Sequence, residues 1–389
     1  MALPLTYNVR NLLVRWKVTL LAIGGIALVV AVFVILLAMA SGFRLALRAT
    51  GAEDNAIVVQ RGSGSELTSW IDTEDGTVIV VDPRIARGAD GQPLASPEIV
   101  VVVNLPKKSD GQTTNVTLRG VTPRAFEVRR GVRVVRGRPL TPGLNEFIVG
   151  RRIEERIRGL DPGARVRLQG REWTIAGVFE AGGGAFESEI WGDREAMAEP
   201  FRRRGGQNSL TARLADPRSL ESFDKDLQAN PQMQVRAVSE RGYYEEQSGP
   251  VAGPLMGLAL FVALVMGTGA VFGAMNTMYA IVSARTREVG TLRALGFSRH
   301  SILIAFVVES VGIAFAGGLL GCLLSLPMNG FVAGTGNTAG FAELAWAFRI
   351  TPRDLAAGLT FAVVMGLLGG LLPAARAARL RITEALREG

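Results

Sequence analysis

Four long apolar runs restrict what this chain can become. Val18–Ala40, Val251–Val282, Ile302–Met328 and Leu355–Ala375 hold 23, 32, 27 and 21 residues, and the single charge among them is Glu309. A helix needs about 20 apolar residues to cross a bilayer. In hydrocarbon, every backbone N–H and C=O must find its partner inside the segment, which a helix provides. The expectation is an α-helical membrane protein with four transmembrane helices, at 18–42, 251–282, 302–328 and 355–375. Ala38-Met39-Ala40 imitates a signal-cleavage site. Signal h-regions, however, run to about 7–15 residues, and the first run is longer. Gly249, Pro250, Gly253 and Pro254 crowd one end of the second run, so that end is read as a bend or stalk.

Charge sets the expected orientation. Residues 1–17, 283–301 and 376–389 together carry eleven Lys/Arg against three Asp/Glu. The long segment 43–250 is nearly balanced, with 30 against 29. Basic flanks stay on the cytoplasmic side, so both termini and the 283–301 loop are expected in the cytoplasm. Segment 43–250 and the 329–354 loop are then extracytoplasmic. A basic balance lying beside membrane is a topology signal, and no nucleic-acid partner is expected. Within 1–17, Leu5, Val9, Leu12 and Leu13 recur at helical spacing among Arg10, Arg15 and Lys17. That pattern fits an interfacial helix on the inner leaflet and, equally, a simple basic flank.

Segment 43–250 reads as a large α+β domain inserted between helices 1 and 2. β-rich runs at 56–60, 77–81, 99–105, 115–121, 132–136, 165–168 and 172–179 are bounded by Gly, Pro, Asn or Asp. Residues 150–158 and 217–229 read as helices, the latter opened by Asp216-Pro217 and flanked by strands at 208–214 and 234–238. The chain leaves this arrangement and returns to it, which suggests two subdomains, 43–113 plus 206–250 and 114–205. One cysteine, Cys322, excludes an intramolecular disulfide.

Chemistry is conspicuous by what the residues do not offer. A phosphate-binding loop needs a Gly-Lys pair, and the four lysines, Lys17, Lys107, Lys108 and Lys225, never follow glycine. One histidine, His300, and one cysteine give no metal set. No catalytic residue, cofactor or metal is therefore expected. Glu309, at membrane depth, is read as a structural hydrogen-bonding group, the alternative being a substrate or proton contact. Glycine pairs at helix-packing spacing, Gly317/Gly321 and Gly366/Gly370, serve either a dimer or contacts within one chain.

Between the second and third spans lies "VSARTREVGTLRALGFSRHSI". Val289, Leu292 and Leu295 recur every three residues on a short helix that Gly296 ends. The pattern alone fits a membrane-surface helix with snorkelling arginines or a helix that docks into a groove of another protein. The stretch "SARTREVGTLRALGFSRHSI", followed by "FVVESVGIAFAGGLLG", resembles the cytoplasmic loop and third span of MacB/LolC/FtsX-type ABC transporter permeases. The tail "PAARAARLRITEALR" is similar to that family's C-terminal end, and "NLLVRWKVTLLAIGGIAL" to its first span. "GVTPRAFEVRRGVRVVRGRPL", "VGRRIEER" and "GARVRLQGREWTIAGVF" resemble its periplasmic core domain.

The resemblance implies a permease subunit in the bacterial inner membrane. Its partners would be two copies of a separate ABC ATPase that binds the ATP, a second permease chain (homodimer or heterodimer) and membrane lipids. With about 17 residues before the first span, the ATPase is expected on another polypeptide. By the same resemblance, 283–301 holds a coupling helix, and Arg285, Arg287, Glu288, Thr291, Leu292, Arg293, Leu295 and Gly296 face the ATPase. The implied activity is mechanotransmission: ATP-driven motion moves the periplasmic domain and drives export or extraction of a lipid, lipoprotein, peptide or amphiphile. A periplasmic adaptor or substrate protein would join it. The alternative is an FtsX-like signal transmitter that activates an extracytoplasmic hydrolase.

Overall fold

In the computed structural model, residues 16–334 and 344–380 are described; the expected interfacial helix and most of the tail lie outside them. The chain divides into two units. The described part of the helical unit holds 16–42, 252–331 and 348–380. The large domain holds Phe43–Val251 with 332–334 and 344–347.

In chain order the helices are α1 (Trp16–Arg48), α2 (Thr73–Val80), α3 (Ala125–Val128), α4 (Arg151–Arg156), α5 (Arg194–Ala198), α6 (Leu220–Ala229), α7 (Glu240–Ser283), α8 (Thr286–Ala294), α9 (Arg299–Ser325) and α10 (Pro352–Arg379). Four of these, α1, α7, α9 and α10, are long and apolar enough to cross a membrane. The first two outrun their apolar stretches. At 1.5 Å per residue, the 44 residues of α7 span about 66 Å, twice a hydrocarbon core of about 30 Å. Gly249–Pro254, read as a bend or stalk, is continuous helix, which leaves the stalk and removes the bend. α10 is opened by a reciprocal cap, in which the Thr351 hydroxyl accepts from Asp354 N–H while the Asp354 carboxylate accepts from Thr351 N–H.

Small residues let these helices approach. A Cβ on Gly317 would sit 2.9 Å from Ile26 Cβ, and one on Gly321 would sit 2.6 Å from the Ala27 carbonyl oxygen, both on α1. On α10, a Cβ at Gly366 would sit 2.5 Å from Ala314 Cβ and one at Gly370 2.4 Å from Ser310 Cβ, both on α9. The Ser310 hydroxyl also donates to the Gly366 carbonyl at 2.8 Å. Both glycine pairs are thus used inside the chain.

The large domain is built on a ten-stranded sheet. Its path is β12 (Val235–Ser239), β1 (Asn55–Gln60), β11 (Ser209–Arg213), β3 (Ala95–Pro106), β4 (Thr113–Val121), β9 (Glu189–Asp193), β6 (Glu146–Gly150), β8 (Arg171–Glu180) and β5 (Arg133–Gly137), with β7 (Arg165–Leu168) beside β8. β4/β9 and β6/β8 are parallel and the other pairs antiparallel. A small pair joins β2 (Ile71–Asp72) to β10 (Gly206–Gln207).

Two cores line this sheet. One gathers Ile79 of α2, Phe223 and Leu227 of α6 and Val58, Leu210 and Ala237 of the sheet. The other gathers Ile153 of α4, Met197 of α5, Leu118, Phe147, Trp173 and Ile190. They meet within β3, because Ala95 belongs to the first and Ile99–Leu105 to the second. The division therefore runs through a strand rather than at 113/114. Residues 77–81, read as a strand, are mostly α2. Asp72 stands before its first residue, and Glu74 and Asp75 occupy a first turn that favours negative charge. Packing of Ile79 then overrides the β preference of a Val/Ile/Thr run. Finally, β13 (Val332–Gly334) pairs with β14 (Ala345–Ala347), and β14 is pinned to the large domain. Arg152 donates to the Ala345 carbonyl at 3.0 Å, Ala345 N–H donates to the Ser188 hydroxyl at 3.0 Å, and Trp346 packs edge-on against Phe43.

Candidate functional site

The segment joining α7 to α9 folds as its composition directs. α8 is short, and Gly296, at φ +94°, terminates it with Phe297 N–H bonded back to the Leu292 carbonyl. The Ser298 hydroxyl then caps α9 by accepting from Ser301 N–H. Val289 is buried among Met278, Val282, Ile302, Phe306 and Ala377, fixing one face of α8 to the bundle.

An ion pair completes the attachment. The Arg285 guanidinium donates to the Glu309 carboxylate at 2.8 Å and to Glu288 at 3.2 Å, and lies 4.9 Å from the Phe306 ring centroid. The side chains of Arg285 and Glu309 are 6% and 3% exposed. Two buried opposite charges at this distance offset each other's desolvation, and removing either takes from the other its buried counter-charge.

The eight residues assigned to ATPase contact therefore divide. Arg285 points into the bundle. Arg287, Glu288, Thr291, Leu295 and Gly296 are exposed, and Leu292 and Arg293 are half-buried. The apolar stripe splits too, with Val289 inside and Leu295 72% exposed.

A second polar site was not anticipated. In the large domain, Arg119 of β4 donates to Glu66 at 2.7 Å, Glu98 at 2.8 Å and Glu189 at 2.8 Å. Arg129 pairs with Glu98, donates to Glu240 at 2.7 Å and bonds the Thr211 hydroxyl at 2.9 Å. Tyr244 donates its phenol to Glu66, and Trp191 its indole N–H to Glu189. All six charged groups are buried. Glu240 and Tyr244 open α7, so this network clamps the first turns of that helix to the sheet. Burial would raise the Glu66 carboxyl, but the Arg119 guanidinium and the Ser209 hydroxyl overcome it and hold the pKa at about 2. The available signal was charge in or beside strand-like runs, at Arg119 and Glu98, both of which are buried.

The family described as the MacB-like periplasmic core domain matches residues 19–230, and the FtsX-like permease C-terminal family matches 260–382. The chain belongs to the MacB/FtsX type of ABC transporter permease. The ABC transporter permease YknZ of Bacillus subtilis is 27% identical over 71% of this chain and 71% of its own length. The macrolide export ATP-binding/permease protein MacB of Chlorobium luteolum is 39% identical over 30% of this chain, a match that spans 16% of that protein. The periplasmic region of MacB from Actinobacillus actinomycetemcomitans aligns over 52% of this chain and 95% of its own, at 12% identity and a TM-score of 0.38. In this permease, then, the FtsX-like part holds α8 and the Arg285–Glu309 pair, and the MacB-like part holds most of the buried charge network.

Proposed function

We propose that this permease couples a separate ABC ATPase, in two copies, to motion of its extracytoplasmic domain, with α8 as the docking element. The termini and α8 face the cytoplasm of a bacterium, and a second permease chain completes the assembly. The partner subunit binds ATP, and this chain carries no cofactor. The cargo is a lipid, lipoprotein, peptide or amphiphile exported or extracted at the outer face.

The observation that carries this reading is the two-sidedness of α8. Val289 and the Arg285–Glu309 pair fasten one side to the bundle, while Arg287, Thr291 and Leu295 stand free on the other. A helix fixed on one side and exposed on the other, with Leu295 among polar groups, suits transfer of force from a partner groove to the spans. Along the chain, α1 and α7 each carry residues of both units, and the β13–β14 strap leaves α9 and returns to α10. Motion of the bundle therefore has several covalent routes into the large domain.

Burying a leucine of this kind contributes about 1.5–3 kcal/mol. Leu295→Asp and Leu292→Asp are expected to release the ATPase in co-purification, and to abolish stimulated ATP turnover in nanodiscs, while the permease still inserts. Retention of both in a Leu292→Asp/Leu295→Asp double variant would remove α8 from the docking role.

A further inference from the structure

The loop between α5 and β10 carries three consecutive arginines on a strained backbone. Arg202 holds φ +55°, a left-handed conformation uncommon for any residue but glycine, and Gly205 follows at φ +88°. Arg203 N–H reaches back to the Ala198 carbonyl at 2.7 Å, and Thr73 N–H, at the start of α2, donates to the Gly205 carbonyl at 3.1 Å. Held at both ends, the loop sets Arg203 and Arg204 on the wall of a cleft of about 540 Å³ in the large domain. Arg171, the first residue of β8, and Arg194, the first of α5, line the same cleft.

Four guanidinium groups here share two carboxylates, Glu195 and Glu199. Glu199 is split between Arg171 at 2.7 Å and Arg204 at 3.0 Å. Glu195 pairs with Arg194, whose other contacts are the Gly206 carbonyl at 3.3 Å and the Gln207 side-chain oxygen at 3.4 Å. Arg203 has no carboxylate partner among the described residues. Its guanidinium lies 5.7 Å from the Trp70 ring centroid, and Asp72 accepts the Trp70 indole N–H at 3.1 Å. The lining therefore carries two positive charges in excess of its carboxylates. Like charges gathered in a concavity repel, and a bound anion relieves them. Exposed ion pairs such as Arg171–Glu199–Arg204 contribute little, so their guanidinium groups yield readily to a better acceptor. Backbone strain of the kind seen at Arg202 is characteristic of segments that clamp a ligand.

We propose that this cleft binds a phosphate monoester. A carboxylate brings one charge and two oxygens, which Glu199 already provides. A phosphate monoester brings nearly two charges at neutral pH and three oxygens, which matches the excess and offers several guanidinium forks an acceptor at once. The site is separate from α8. It rests on the cargo reading above only for where the phosphate comes from, the headgroup of an amphiphile or free phosphate.

The test uses the purified full-length chain in a neutral detergent, without ATPase, titrated with inorganic phosphate and, separately, with a short-chain phosphatidic acid. Calorimetry and phosphorus NMR line broadening read the binding. Both probes are expected to bind saturably and to compete with each other, and a short-chain phosphatidylcholine, whose phosphate is a diester beside a cation, is expected not to displace them. Arg203→Ala/Arg204→Ala should weaken binding about tenfold or more, and Arg203→Lys/Arg204→Lys should restore part of it. Arg204→Glu, at a side chain 71% exposed, should weaken it as much while the melting temperature stays at the wild-type value. Arg61→Ala/Arg218→Ala removes two exposed arginines of the large domain outside the cleft and should change nothing. Tighter binding of phosphatidic acid than of inorganic phosphate, by about tenfold or more, assigns the phosphate to a lipid headgroup, and equal affinities assign it to free phosphate; either result supports the site. No saturable binding of either probe overturns the proposal, as does affinity unchanged in Arg204→Glu, an equal loss in the Arg61/Arg218 variant, or displacement by phosphatidylcholine. Loss of ATPase binding in the Leu292/Leu295 variants alters none of these readouts, so the two readings fail separately.

Discussion

At the scale of single residues, buried charge defines this permease. Glu309 was legible as unusual, but its partner was not. Arg285 is 24 positions away, in a loop that also holds Arg287, Arg293 and Arg299, and nothing in the local pattern singles it out. The pairing changes what substitution should do. Glu309→Gln takes from the Arg285 guanidinium its buried counter-charge and leaves it the more exposed Glu288, so it should destabilise by about 1–3 kcal/mol, as should Arg285→Met. Replacing both with apolar residues, Arg285→Met/Glu309→Leu, should recover most of that loss. Thermal unfolding in detergent reads all three, and a double variant no better than the singles would show that the pair is not the reason for either residue.

Glu66 gives a second residue-scale prediction, and its sign follows from the direction of the shift. Its folded pKa is held at about 2, below the ordinary value of 4.5. Its contribution is therefore complete above the unfolded pKa and is lost as pH falls from about 4.5 toward 2. Glu66→Gln should cost about 1–3 kcal/mol near neutral pH, through weaker bonds to Arg119, Ser209 and Tyr244. The stability gap between the variant and the wild type should narrow across that acid window. A gap unchanged from pH 6 to pH 3 would mean that the Glu66 charge is not what the network uses.

At the scale of elements, legibility follows length and periodicity. The four spans needed only apolar length. The strands at 99–105, 115–121 and 165–168 lie within or coincide with β3, β4 and β7, because turn residues bracket them. β6 and β9 passed unnoticed: each is five residues, buried throughout, with no alternation to betray it. Thr351-Pro-Arg-Asp354 was a readable helix start that composition alone did not bring forward. Glycine separates packed from unpacked helix faces. Gly321→Ala would press a methyl against the Ala27 carbonyl and should cost about 1–3 kcal/mol of bundle stability, whereas Gly269→Ala, with nothing near it, should cost the protomer nothing and gain helix propensity. Equal melting temperatures for the two variants would contradict the packing of α9 on α1.

At the scale of the whole molecule, the sheet order was out of reach for a physical reason. Its pairings join residues far apart in sequence, such as Ala56 with Ala212 and Leu118 with Ile190, and no local signal encodes them. Orientation is different, because charge beside the spans is local. Eleven basic and three acidic residues in the 1–17, 283–301 and 376–389 segments predict that side of the membrane to be cytoplasmic. The structure also shows where to probe it without disturbing the fold. Ser109 lies in an exposed turn of the large domain. Ser298 is a poor choice on the opposite side, since its hydroxyl caps α9 and losing a cap costs about 1 kcal/mol. Ala294, exposed at the end of α8, carries no such duty. In a Cys322→Ala background, Ser109→Cys in intact spheroplasts should react with a membrane-impermeant maleimide, and Ala294→Cys only after permeabilisation. In inside-out vesicles the pattern should reverse. If Ala294→Cys labels from outside while Ser109→Cys is protected, the helix assigned to ATPase docking faces away from every ATP-consuming partner, and the coupling role falls with the topology.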